Sequence, residues 1–109
     1  MERLQPLSLA TRRMLALLAD EIQARRKLLR WSEQDLADRL GCARKTVRAL
    51  ESGKPSVAIG TVFEAAVLVG LDLFGGEAAV EARHAETRLR LDLLPRRIHS
   101  RKPELKDDF

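Results

Sequence analysis

Four cationic residues stand close together in the middle of the chain: Arg44, Lys45, Arg48 and Lys54. Guanidinium and ammonium groups donate hydrogen bonds and accept none, so the chemistry open to this cluster is the binding of anions. Arginine also has a planar fork of donors that matches phosphate and the O6 and N7 atoms of guanine. Apolar residues at positions 47 and 50 interrupt the charges. A surface for an acidic partner and an ordinary solvated helix surface both fit this pattern.

Residues of catalytic or metal-binding type are scattered along the chain. Cys42 is the only cysteine, and its place in a short link between two helical segments favours a small core residue over a nucleophile. His84 and His99 are too far apart in sequence to form a ligand set of the usual spacing. We therefore expect a non-enzyme with no catalytic residue, no metal and no cofactor.

Length and charge limit the possible partners. The 109 residues fit one domain, and the net charge of +4 favours nucleic acid or an acidic partner without deciding between them. The apolar run at 14–19 is too short for a secretory signal. No segment reaches the roughly 20 apolar residues that span a bilayer. Since a single cysteine also fits a reducing compartment, we expect a cytoplasmic protein outside the membrane.

Aromatic residues are scarce and strand-forming runs are missing, which predicts an all-α chain. Ser8 is expected to cap a long first helix, and the cations at 25–27 complement the dipole at its end. The predicted apolar stripe of this helix consists of Leu15, Leu18, Ile22 and Leu29, widened by Met14 and Leu28.

Three shorter helices are predicted to follow. Ser32, with Asp35 three residues later, predicts a capped second helix that ends at Gly41. The cationic stretch then forms a third helix of about two turns, which stops at Gly53. A fourth helix is predicted over 58–69.

Residues 71–94 allow two interpretations. Positions 80, 84, 87, 91 and 94 keep a helical spacing, whereas the leucines at 89, 91 and 93 alternate as in a strand. The alanine- and glutamate-rich start favours a helix that ends before Pro95. The predicted organisation is a domain over 1–75, a helical extension for dimerisation or partner binding over 76–95, and a charged mobile tail over 96–109.

Only residues 41–43 join the second and third helices. So short a link forces a sharp angle between them and predicts a helix-turn-helix over 32–52. Such a unit requires a small residue where the helices cross, a residue that can make the turn, and an inward apolar residue on the third helix. Ala37, Gly41 and Val47 meet these requirements at the right spacing.

The segment from Leu18 to about Leu73 resembles the helix-turn-helix domain of the Xre family, which includes the lambda-type repressors and Cro. The resemblance rests on Ile22, Arg26, WSEQDLADRLG from Trp31, RKTVRALESGK from Arg44, and the apolar fourth helix ending LVG. It covers about half of the chain. It implies an all-α, five-helix lambda-repressor-like domain, here followed by a C-terminal helical extension.

In this family the third helix is the recognition helix, and its N-terminal residues enter the major groove of DNA. The resemblance implies base contacts for Arg44, Lys45, Arg48 and Ala49. Arg44 is the best candidate for a guanine, and Ala49 can contact only a thymine methyl group. Lys45 and Arg48 could equally neutralise phosphates. The local spacing agrees, because the inward apolar residues of this helix leave these four on its outer face.

Phosphate contacts are implied for a second set, which consists of Gln34, Thr46, Ser52, Lys54, Gly60 and Thr61. The fourth helix begins within this set, where free backbone N–H groups favour an anion. Gly60 is unfavourable inside a helix, and a close approach of another backbone explains its presence. For Ser52 and Lys54, a capped helix end is an equal alternative.

The resemblance further implies an ion pair between Arg26 and Glu51 that joins the recognition helix to the first helix. Two residues depart from the family pattern. Glu33 replaces a glutamine that usually contacts a phosphate and the recognition helix, so that contact is in doubt and a role at the helix dipole is the alternative. Ala43 replaces a serine or threonine, so a cap worth about 1 kcal/mol is missing.

We therefore expect a sequence-specific transcriptional regulator, a dimeric repressor of its own operon that binds a double-stranded DNA operator. A compact Xre domain with the tail RKPELKDDF resembles the HipB-type antitoxins, which implies a HipA-type kinase toxin as a partner. The alternative is a protein-interaction adaptor with a helix-turn-helix fold and little DNA binding. The basic third helix argues against the adaptor.

Overall fold

The computed structural model describes residues 6–100, and over that range it contains helices and loops but no strand. The helices are α1 (Leu9–Leu28), α2 (Glu33–Leu40), α3 (Arg44–Glu51), α4 (Ile59–Leu68) and α5 (Glu77–Asp92), with a short 3-10 turn at Leu73–Gly75. The predicted all-α, five-helix architecture is confirmed. Of the two interpretations of 71–94, the helix is the one found, over Glu77–Asp92, with a loop and the short turn before it. Residues 101–109, most of the predicted mobile tail, lie outside the described residues.

The chain divides into two compact units, one ending at Leu73 and one beginning at Phe74. The first unit contains α1 to α4, including the whole helix-turn-helix. The second unit contains α5, none of whose residues is buried. The predicted recognition helix therefore lies in the first unit.

The core of the first unit is formed by α1 to α4. Its largest fully buried side chains are Ile22, Leu36, Val47 and Val69. Alanines at 37, 65 and 66 are also inaccessible to solvent, which lets the helices approach closely. The small residue required where α2 and α3 cross is therefore in place.

The helix ends follow the sequence signals. Ser8 accepts a hydrogen bond from the backbone N–H three residues later. Ser32 and Asp35 form a reciprocal capping box, with distances of 3.0 Å and 2.8 Å. Gly41 has a φ of 71°, which makes the turn between α2 and α3. Ala43 makes no side-chain cap, so the missing cap of α3 is confirmed as well.

α1 buries a narrower face than the sequence predicts. Met14 and Leu28 are exposed (63% and 73%), so the prediction that they widen the apolar stripe is wrong. Leu29 caps the C-terminus of α1 and is also exposed. The buried face continues from Ile22 to Arg26, because this arginine has an acidic partner inside the fold.

Candidate nucleic-acid interface

α3 has one buried face and one open face. Val47 and Leu50 are buried in the core, with 0% and 3% of their surface exposed. The opposite face consists of the exposed Arg44, Lys45 and Arg48 and the half-buried Ala49. The packing of Val47 and Leu50 therefore decides which side chains remain available to a ligand. These are the four that the family resemblance places against bases.

Arg26 and Glu51 join α1 to the C-terminal end of α3. Arg26 Nε donates to Glu51 Oε2 at 2.7 Å, and a second Arg26 nitrogen donates to Glu51 Oε1 at 2.9 Å. The same guanidinium also donates to the carbonyl of Trp31 at 2.9 Å. Only 7% and 4% of the two side chains are exposed. The hydrogen bonds that Arg26 donates to Glu51 raise the pKa of Arg26, although burial opposes this effect.

Arg48 and Glu33 form a second ion pair, which sequence analysis did not find. Arg48 Nε donates to Glu33 Oε1 at 3.1 Å, and 57% and 33% of the side chains remain exposed. Glu33 is the first residue of α2, so its carboxylate lies beside the open face of α3. It therefore does more than interact with the α2 dipole. The two positions are fifteen residues apart, and no helical spacing connects them.

Ser52 and Lys54 follow α3. The Ser52 hydroxyl donates to the carbonyl of Arg48 at 2.7 Å, so it closes the end of its own helix. Lys54 is exposed, and its backbone N–H donates to the carbonyl of Ala49 at 3.1 Å. Gly53 stands between them with a φ of 74°. The helix-end interpretation thus describes the observed bond of Ser52, while the ammonium group of Lys54 faces solvent.

The start of α4 is open. Ala58 makes no side-chain cap, so the first backbone N–H groups of α4 keep their hydrogen-bonding capacity. A Cβ built on Gly60 meets no heavy atom within 4 Å. No packing contact within the described residues therefore requires glycine at this position. Thr61 is half-buried next to it.

Two further residues of the predicted phosphate set lie on α2 and α3. The Gln34 side chain donates to Asp38 Oδ1 at 2.8 Å, four residues along the same helix. This bond occupies one of its donors. Thr46 is half-buried in the first turn of α3. Both stay candidates for a phosphate, with less freedom than Lys54.

The segment that carries this geometry matches a known family. Residues 22–74, just under half of the chain, match the model of a helix-turn-helix family. The match supports a DNA-binding helix-turn-helix domain over these residues. Comparison with curated proteins and with solved structures gave no match to the chain. The fold and DNA-binding class expected from the resemblance are thereby confirmed.

The helix-turn-helix domain contains an arginine contact that sequence analysis missed. Arg25 Nε donates to the carbonyl of Val69, the C-cap of α4, at 2.8 Å. The sequence interpretation assigned this cation to the dipole of α1, where it stands in the last turn. In the fold it satisfies a carbonyl at the end of another helix. Gly70, which follows α4, has a φ of 80°, a conformation that favours glycine, and a Cβ there would also lie 3.0 Å from a terminal nitrogen of this guanidinium.

Trp31 lies half-buried against the core of the domain, at the junction of α1 and α2. The guanidinium carbon of Arg39 sits 4.1 Å from the centre of its ring. The guanidinium thus makes a cation–π contact with one face of the indole. A tryptophan before α2 and an arginine in its last turn were visible in the sequence, but their stacking was not.

Metal binding and membrane insertion find little support within residues 6–100. No three His, Cys, Asp or Glu side chains of that range come together as metal ligands. No helix of that range is long and apolar enough to cross a membrane. Cys42 packs half-buried against the core, beside the turn.

Proposed function

We propose that the protein is a sequence-specific transcriptional repressor that binds its operator DNA as a homodimer. The observation that supports this most directly is the division of α3. Its apolar residues and Glu51 are held inside the fold, while Arg44, Lys45 and Arg48 stand exposed in its first two turns. The N-terminal part of a recognition helix is the part that contacts bases in the major groove.

The proposed contacts divide into two kinds. Arg44 has no acidic partner among the described residues, so its fork is free to pair with a guanine. Lys54 and the open start of α4 are suited to phosphates, because a compact cation and free N–H groups bind an oxyanion regardless of sequence. The Ser52 hydroxyl must release the Arg48 carbonyl before it can donate to a phosphate. Ser52 is therefore the weakest candidate among the proposed phosphate contacts.

A triple variant tests the function. Selection of bound DNA from a random pool gives an operator for the wild-type protein. Replacing Arg44, Lys45 and Arg48 together by alanine should weaken binding to that operator by at least about a hundredfold, since base and phosphate contacts are both lost. The matched control replaces Arg13, Lys27 and Arg30, three exposed cations of α1 and its C-terminal turn, and removes the same charge elsewhere. Equal binding by wild type and the first variant would favour the adaptor.

A homodimer is proposed because one such module makes only a small interface with DNA, and operators are usually bound by dimers across half-sites about 34 Å apart. The C-terminal segment is the proposed dimerisation element. Leu89 and Leu93 on and after α5 are 67% and 86% exposed. Large apolar side chains in the open favour burial against a second copy.

The antitoxin role stays a prediction. Its resemblance rests on the tail at 101–109, which lies outside the described residues, and the matched family is not specific to antitoxins. A kinase encoded by the adjacent gene that co-purifies with the protein would support the HipA-type partner. The repressor proposal does not depend on that result.

A further inference from the structure

The Glu33–Arg48 ion pair introduces a carboxylate at a surface otherwise made of cations. An exposed pair of this kind contributes little to folding stability, so stability alone does not explain it. A carboxylate near DNA phosphates also opposes binding. At a surface that binds DNA, Glu33 would therefore weaken the general attraction to phosphates. Neither folding stability nor DNA affinity explains its presence there.

The geometry of the pair indicates a different role for Glu33. Of the three guanidinium nitrogens of Arg48, Nε alone has a hydrogen bond to another of residues 6–100. The two terminal nitrogens keep their donors, and two parallel donors are what the O6 and N7 atoms of guanine accept. A free arginine samples many rotamers, whereas one held at Nε loses less entropy when it pairs with a base.

The Glu33 carboxylate lies near two arginines and on a fixed part of the fold. Its negative charge also contributes to the raised pKa of Arg26, so Glu33 lies within electrostatic reach of a second arginine. Glu33 is fixed in the first turn of α2, next to the Ser32–Asp35 capping box. The carboxylate is thus attached to a rigid helix start, on the side that faces α3.

We propose that Glu33 is a specificity-determining residue of the DNA-binding surface. Its carboxylate holds Arg48 so that the terminal nitrogens contact a base, and its charge disfavours DNA that offers no such contact. This inference rests on the proposed DNA-binding function. In it, Arg48 touches the base and Glu33 is a positioning residue.

The test uses the full chain and DNA duplexes that differ from the selected operator by one base pair each. Glu33→Ala should bind unrelated DNA more tightly, and its affinity should fall more steeply with salt, by about one unit of the log–log slope. Preference at one base-pair position should fall about tenfold, as expected when an oriented bidentate contact is lost. Glu33→Gln removes the charge but can still accept the Arg48 hydrogen bond, so it should keep part of that preference.

Two controls separate positioning from a general effect of charge or stability. Asp20→Asn removes a carboxylate from an exposed position of α1 and should leave preference and salt slope unchanged. In an Arg48→Ala background, Glu33→Ala should change the preference no further. A Glu33 that served only the α2 dipole would alter thermal unfolding and leave the pattern of base preference as in the wild type.

Glu33→Ala with wild-type preference at every position would overturn the inference while the DNA-binding function stands. A wild-type protein that prefers no sequence at all would overturn the proposed function, and the inference with it. The wild-type arm of the experiment distinguishes these two failures.

Discussion

The side chains of Arg26 and Glu51 meet edge to edge inside the first unit, with two hydrogen bonds of 2.7 Å and 2.9 Å. They are nearly inaccessible to solvent. Because burial removes their hydration, each depends on the other for compensation. This pair holds the C-terminal end of α3 against α1, and so helps to fix the position of the exposed cations of α3.

The first prediction concerns the loss of that compensation. Glu51→Ala should lower the free energy of unfolding by about 3–5 kcal/mol, because it leaves Arg26 charged and buried without its partner. Urea denaturation measures the change. Glu33→Ala, which breaks the exposed pair, serves as the comparison and should cost no more than about 1 kcal/mol. The double variant Arg26→Met/Glu51→Leu should recover much of the stability that Glu51→Ala loses. Equal losses of stability for Glu51→Ala and Glu33→Ala would contradict the argument.

The second prediction concerns acid stability. The bonds from Ser32 to Asp35 hold the pKa of this carboxyl below its ordinary value. A depressed pKa in the folded state means that the contribution of Asp35 to stability is present above the ordinary value of about 3.9, and is lost as pH falls through the folded value. Urea denaturation between about pH 7 and pH 2.5 should therefore show the stability difference between wild type and Asp35→Asn shrinking towards the acid end.

The third prediction separates stability from function at Gly60. Gly60→Ala should stabilise the protein by up to about 1 kcal/mol, because alanine is the better helix former and its Cβ meets no neighbouring atom. Operator affinity should nevertheless fall if a DNA backbone passes close to this position. Thermal unfolding and DNA titration of the same preparation measure both effects. Gly41→Ala is the counterpart: there a φ of 71° predicts destabilisation by about 1 kcal/mol.

The fourth prediction distinguishes a base contact from a phosphate contact. Arg44→Ala should relax preference at one base-pair position, at a cost of about 1–3 kcal/mol on the preferred operator. Lys54→Ala should weaken binding to all sequences alike and lower the salt slope by about one unit. Titrations at several salt concentrations, on operator and unrelated DNA, measure both. The assignment fails if the two variants lose affinity in the same way.

The fifth prediction concerns self-association. Replacing Leu89 and Leu93 by glutamine should shift the protein towards the monomer in sedimentation equilibrium, since the proposed contact loses its apolar side chains. Affinity for an isolated half-site should stay the same while affinity for the full operator falls. Leu17→Gln, at an exposed leucine of α1, is the control and should leave the mass unchanged.

Much of the fold was predictable because its signals are local. Ser32 and Asp35 lie within one turn of a helix, and Gly41 acts through its own backbone angle, so neither needs a distant partner. The apolar positions of α3 could be assigned for the same reason, since Val47 and Leu50 repeat at helical spacing. The face proposed to bind DNA is the one that these buried positions leave exposed.

The contacts that were missed join residues distant in sequence. The positive charge of Arg25 was placed at the end of α1, yet its hydrogen bond goes to Val69 at the end of α4. Leu28 was predicted to extend the apolar stripe of α1. It is exposed instead, and the buried face of the helix ends at Arg26. A periodic pattern identifies a candidate inner face, but it cannot tell which members another helix will cover.

By itself, the sequence determined the helix type, the sharp turn at 41–43 and the cationic composition of α3, since each depends on residues within a few positions of one another. Only the tertiary structure decided which of those cations has an acidic neighbour. Arg48 forms an ion pair with Glu33 of α2, whereas Arg44 has no acidic partner among the described residues. Side chains of the same type thus differ because electrostatic contacts act through space, and the chain fold sets which charges become neighbours.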